Sequence, residues 1–98
     1  AVAGVMTSKF RNAGQTCVCA NRILVQRNLY ERFSARLLEA VATLKVGDGF
    51  AAGSTLGPLI NTAAVEKVNA NIDDALQKGA TRLTGGISSG AGTWVQPT

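Results

Sequence analysis

Apolar residues recur at helical spacing in three parts of the chain. Val2, Val5, Met6 and Phe10 share one face and predict a helix over residues 1–13. Lys9 and Arg11 fall in its last turn, where cations favour the negative end of the helix dipole. Gly14 is the expected stop, because glycine takes positive φ without strain. Tyr30, Phe33, Leu37, Val41 and Leu44 mark the inward stripe of a second helix, about residues 29–44, with Asn28 as N-cap and Gly47 closing it. Val65, Val68, Ile72, Ala75 and Leu76 mark a third, capped by Asn61 or Thr62 and ended by Gly79.

Between these lie shorter signals. A loop at 15–20 leads into Ile23-Leu24-Val25, a compact β-branched run that predicts a buried strand over about 18–26. Residues 47–60 carry Gly47, Gly49, Gly53, Gly57 and Pro58 and read as an irregular loop, long enough to suggest a role in packing or in a site. Thr81-Arg82-Leu83-Thr84 reads as a short strand, Gly85 to Gly92 as a flexible turn, and Trp94-Val95-Gln96 as one more strand. A strand followed at once by a helix is half of a βαβ unit, so the expected fold class is α/β. There is no internal repeat.

Composition narrows the function. The 98 residues are 46% hydrophobic and 16% charged, which suits one small core and not a disordered tail. The net charge of +4 comes from dispersed cations, and none of the five aromatic residues interleaves with a basic cluster. That argues against a nucleic-acid partner. No apolar run approaches the ~20 residues of a membrane span, so no membrane partner is expected, and no signal peptide is recognisable. Residue 1 is Ala inside an apolar helical pattern, and the final residues read as an unfinished strand; the expectation is a piece of a longer chain, truncated at both ends.

Reactive chemistry concentrates at Gly14-Gln15-Thr16-Cys17-Val18-Cys19, which holds both cysteines of the chain. The absence of histidine argues against a zinc site. Two cysteines one residue apart do not make the disulfide framework of a secreted mini-protein, so a reducing compartment is expected. Cys17 follows residues that suit an exposed loop, and Arg11 lies six positions upstream; Cys19 enters the apolar run. Cys17 is the better candidate nucleophile and Cys19 the better core thiol. Two alternatives stay open: both thiols as small buried hydrophobes, or a strained and labile Cys17–Cys19 disulfide.

The run from Ser8 to Arg22, with Asn12-Ala13-Gly14-Gln15-Thr16-Cys17 at its centre, resembles the catalytic-cysteine signature of the aldehyde dehydrogenase superfamily, closest to the succinate-semialdehyde dehydrogenases. The likeness continues through Leu44 to Gly49, Gly57 to Ile60 and Lys78-Gly79-Ala80. It implies a partial catalytic domain over 1–98, a fragment of a three-layer α/β/α fold. It implies oxidation of an aldehyde, with succinate semialdehyde the best substrate, by NAD or NADP through a cysteine thiohemiacetal and thioester.

Position by position, Cys17 matches the family nucleophile and its backbone N–H part of the oxyanion site. Arg11 matches an arginine that grips a distal carboxylate. Cys19 matches a second cysteine able to form a reversible disulfide with the nucleophile. Lys67 aligns with a helix lysine near the cofactor ribose; a solvated surface lysine is the plainer reading.

The general-base glutamate and the dinucleotide-binding domain of the family fall outside residues 1–98, and no G-x-G-x-x-G is present. The resemblance thus implies a fragment inactive by itself, within a homo-oligomeric enzyme of the cytoplasm or, in a eukaryote, of the mitochondrial matrix. A structural or interaction module, or a thiol redox protein, are the competing classes.

Overall fold

Three α-helices carry the regular structure of the described residues. In the computed structural model, which describes residues 1–86 and 92–98, α1 spans Val2–Lys9, α2 Tyr30–Ala42 and α3 Thr62–Gln77. Among the described residues no helix is long and apolar enough to cross a membrane. α1 packs against α2, half-burying Val2, Val5 and Met6 as their spacing predicts. A groove separates α2 from α3, walled by Leu37, Leu38 and Val41 on one side and Ile72, Ala75 and Leu76 on the other.

The helix ends depart from expectation in instructive ways. α1 stops at Lys9, well before Gly14. A short 3-10 turn over Arg11–Gly14 follows, in which Asn12, Ala13 and Gly14 all take positive φ (50°, 54° and 78°). Asparagine and glycine visit this region readily, whereas alanine there costs about 1–2 kcal/mol. Asn28 does not cap α2. It sits inside a 3-10 turn, Arg27–Leu29, and Leu29 precedes the helix without a side-chain cap. Nor does Gly47 close α2: the chain leaves the helix at Ala42, and Thr43 Oγ1 donates back to the Ala40 carbonyl at 2.8 Å.

α3 behaves as predicted. Asn61 Oδ1 accepts the Ala64 N–H at 2.9 Å. At the other end Gly79, with φ 90°, lets its N–H reach the Leu76 carbonyl while the Ala80 N–H reaches that of Ala75. Those two bonds form a Schellman motif, which satisfies carbonyls the helix leaves unpaired.

The three expected strands do not form ladders among the described residues. The one bridge is parallel, between Val46 and Leu56, and it closes the glycine-rich loop: Gly47 N–H donates to the Leu56 carbonyl at 3.0 Å and Thr55 N–H to that of Lys45 at 2.9 Å. The run Ile23-Leu24-Val25 is irregular, and Leu24 is 96% exposed where a buried strand was expected. Residues 81–84 and 94–96 are likewise unpaired. A strand is stabilised by its neighbours across the ladder, and none is supplied by the described residues. The glycine-serine turn lies mostly at 87–91, outside the described residues.

The core is correspondingly thin. Val41, Leu56, Leu59, Val65 and Cys19 are buried, yet among the described residues no large side chain is fully sealed. The accessible surface is 7205 Å². A monomer of this mass is expected to expose about 5,300 Å². The surplus is consistent with the bare apolar residues Leu24, Phe50 and Ile60.

Candidate active site

The cysteine segment is organised by short-range hydrogen bonds. Thr16 to Cys19 form a turn in which the Cys19 N–H donates to the Thr16 carbonyl at 3.2 Å. The Thr16 hydroxyl and the Cys19 thiol lie 2.9 Å apart, and the thiol also points at the Lys9 carbonyl, 3.7 Å away. Cys19 is therefore held inward, with 8% of its surface accessible. The turn is closed at its base by the Ala20 N–H donating to Ser8 Oγ at 3.1 Å and Lys9 Nζ donating to Asn21 Oδ1 at 3.2 Å. Cys17 stands exposed at the outer side of that turn. Both thiols are free in this structure. The contrast expected from sequence, one thiol outward and one in the core, is the contrast observed.

Arg11 is exposed on the positive-φ turn and has no ion-pair partner among the described residues. Lys67 is exposed on α3, where it edges a groove shared with Gln15, Leu59 and Val95. Neither Cys17 nor Arg11 lines that groove. Cys17, Cys19 and Arg11 lie in one segment, and Lys67 lines a groove that this segment helps to wall through Lys9, Phe10, Ala13, Gly14 and Gln15 but that neither Cys17 nor Arg11 enters.

Gln15 is a participant that the sequence reading passed over. Its Nε2 donates to the Asn12 carbonyl at 3.2 Å and to the Pro58 carbonyl at 3.3 Å, while its Oε1 accepts the Ile60 N–H at 2.9 Å. Asn12 Nδ2 adds a weaker bond to the Gln15 carbonyl at 3.4 Å. Thr16 and Ser8 were also missed. The local bonds follow from small polar residues near a glycine, but partners more than forty residues away leave no local signal.

Comparison with known proteins decides the family. The aldehyde dehydrogenase family model matches residues 1–98. The chain belongs to the aldehyde dehydrogenase family. Succinate-semialdehyde dehydrogenase, mitochondrial, of Rattus norvegicus is 55% identical over 100% of this chain and 19% of its own length. The succinate-semialdehyde dehydrogenase (NADP(+)) GabD of Escherichia coli (strain K12) and the 3-sulfolactaldehyde dehydrogenase of Pseudomonas putida are each 54% identical over the whole chain and 20% of theirs.

Among solved structures, the succinate-semialdehyde dehydrogenase from Burkholderia pseudomallei superposes with a TM-score of 0.94 at 52% identity, over 98% of this chain and 20% of that one. This aldehyde dehydrogenase sequence therefore spans about a fifth of the length of the relatives it matches. Its helices take the places of the corresponding part of that α/β fold, so the expected fold class holds even though the described residues pair no sheet among themselves.

The same likeness raises the question of a nicotinamide cofactor. Among the described residues no glycine-rich turn joins a strand to a helix, and the first turn of α3 is capped by its own Asn61. Such a turn and a free helix N-terminus are what hold a pyrophosphate. The described residues by themselves do not build a dinucleotide cradle.

Proposed function

We propose that residues 1–98 are the nucleophile-bearing part of a longer aldehyde dehydrogenase that converts an aldehyde with a distal anionic group, succinate semialdehyde first, to the carboxylate. The supporting observation is the exposed Cys17 on a turn whose other thiol, Cys19, is turned inward, inside a segment matched throughout by the family. The Cys17 thiolate adds to the aldehyde carbon, forming the C–S bond while the carbonyl pair moves onto oxygen. The Cys17 backbone N–H has no acceptor among the described residues and is available to that oxygen. The adduct becomes a thioester by losing a hydride from its carbon, which NAD or NADP, if bound by other parts of the enzyme, would accept. Water then cleaves the thioester, releasing the carboxylic acid and restoring the thiolate.

Arg11, exposed and without an ion-pair partner among the described residues, is the proposed partner of the distal anion. The succinate-semialdehyde and 3-sulfolactaldehyde enzymes support this choice, because the aldehydes in their names share an anionic group away from the reacting carbon. Cys19 is the proposed resolving thiol. Peroxide oxidises Cys17 to a sulfenic acid, and Cys19 displaces water from it to form the disulfide; for this Cys19 must first leave Thr16. Lys67, on the groove that Cys17 and Arg11 do not enter, is at most a peripheral cofactor contact. Homo-oligomeric assembly, and a cytoplasmic or mitochondrial-matrix address, rest on family likeness alone.

The test uses the full-length enzyme carrying this sequence. Cys17→Ala should lower kcat by a factor of about 10³ or more, while Cys19→Ala keeps turnover and abolishes reversible inactivation by peroxide. A Cys17→Ala enzyme retaining a tenth of the activity sinks the nucleophile assignment; peroxide sensitivity unchanged in Cys19→Ala sinks the redox assignment alone.

A further inference from the structure

We infer that Gln15 is a positioning residue for Cys17, a strut that ties the nucleophile's turn to the Pro58–Ile60 segment. The inference rests on the assignment of Cys17 as nucleophile and adds to it a residue that touches neither substrate nor thiol. The primary carboxamide of Gln15 has two N–H donors and one carbonyl oxygen. Both donors are aimed at carbonyls, those of Asn12 and Pro58, and the oxygen takes the Ile60 N–H. The assignment of oxygen and nitrogen is forced by these partners, since the reversed amide would set its oxygen against two carbonyl oxygens and its NH₂ against an N–H.

The anchorage on the far side is firm. Leu59, between the two contacted residues, is 8% exposed, and its N–H donates to the Thr93 carbonyl at 2.8 Å. The anchorage on the near side is strained. Asn12, Ala13 and Gly14 hold positive φ directly before Gln15, a conformation that persists only where surrounding contacts enforce it. Gln15 Nε2 binds the Asn12 carbonyl from within that turn, and the Gln15 backbone N–H donates to the same carbonyl at 3.0 Å. One side chain therefore braces the strained turn and couples it to the glycine-rich loop, two residues before the thiol. Any side chain at Gly14 would add to the strain, because its φ is 78° and a Cβ there would come within 3.3 Å of the Lys9 carbonyl oxygen.

The consequence is a separation of effects. Loss of the strut removes no group that touches substrate but lets the Cys17 turn, and the thiol with it, wander, so the chemical step suffers more than substrate binding. In the full-length enzyme, Gln15→Leu keeps the side-chain bulk and removes all three bonds. Gln15→Glu keeps the acceptor for Ile60 but sets a carboxylate against the Pro58 and Asn12 carbonyls. Both should lower kcat by about 10- to 100-fold, with KM changed by less than about threefold. Alkylation of Cys17 by iodoacetamide should slow by a similar factor to kcat.

Two results overturn the inference. One is Gln15→Leu with normal kcat and normal Cys17 alkylation, whether or not its Tm falls. The other is a loss of activity that follows the fraction of unfolded enzyme, with the remaining folded enzyme alkylated at the wild-type rate. Either leaves the Cys17→Ala result untouched, so the nucleophile assignment and the strut fail separately. Should Gln15→Leu not fold, Gln15→Glu supplies the same kinetic and alkylation readouts.

Discussion

Residues 8–21 and residues 22–26 are neighbours in sequence and opposites in structure. The first segment holds both thiols and is knit by bonds among Ser8, Lys9, Thr16, Cys19 and Asn21, with Gln15 reaching across to Pro58 and Ile60. The second, the most strand-like run in the sequence, pairs with nothing among the described residues and leaves Leu24 almost fully bare. The difference lies in where each segment's partners are. A turn can satisfy its polar groups from residues close at hand, but a strand needs a second length of backbone beside it. The chemistry-bearing part of this aldehyde dehydrogenase chain is thus shaped largely by contacts within itself, whereas the strand-like run finds no ladder partner among the described residues.

The comparison can be broken at its functional end first. If the 8–21 segment presents Arg11 to a distal anion, Arg11→Ala in the full-length enzyme should raise KM for succinate semialdehyde by about 10- to 100-fold, the worth of one charge-assisted pair. KM for an uncharged aldehyde of similar length should barely move, and steady-state kinetics on the two substrates decides it. An equal rise for both would remove Arg11 from substrate recognition.

The 22–26 segment is tested through stability instead of KM. Leu24→Ala in the full-length enzyme should cost about 2–5 kcal/mol, as for a core leucine. In the 98-residue chain by itself the same change should fall within about 0.5 kcal/mol. Denaturant titration of both tests the claim, and equal costs would show that Leu24 has no partner in the whole enzyme either.

The smallest effect concerns the strained turn. Ala13→Gly should stabilise the protein by about 1 kcal/mol, because alanine at φ 54° carries a steric penalty that glycine does not. A shift in Tm of the opposite sign would mean that the alanine methyl contributes more by packing than its backbone costs.

Much of this was legible from residue types. The stripe from Val65 to Leu76, the Asn61 cap and the Gly79 stop define α3, because each acts within one or two turns of its own position. The outward Cys17 and inward Cys19 could be read from the polar residues before one and the apolar run after the other. Helix ends were less legible: Gly14 was expected to end α1, and only the folded chain shows a break at Lys9 with Asn12 and Ala13 already left-handed.

What the tertiary structure alone decided is the set of long-range ties. Gln15 meets Pro58 and Ile60 across forty residues, and Leu59 meets Thr93. The unpaired state of 22–26 belongs to the same class. Periodicity and capping report interactions within a few residues, which is why helices and the reactive turn could be read directly. Which distant backbone a side-chain amide or a strand edge will find depends on how the whole chain closes, and no local pattern carries that information.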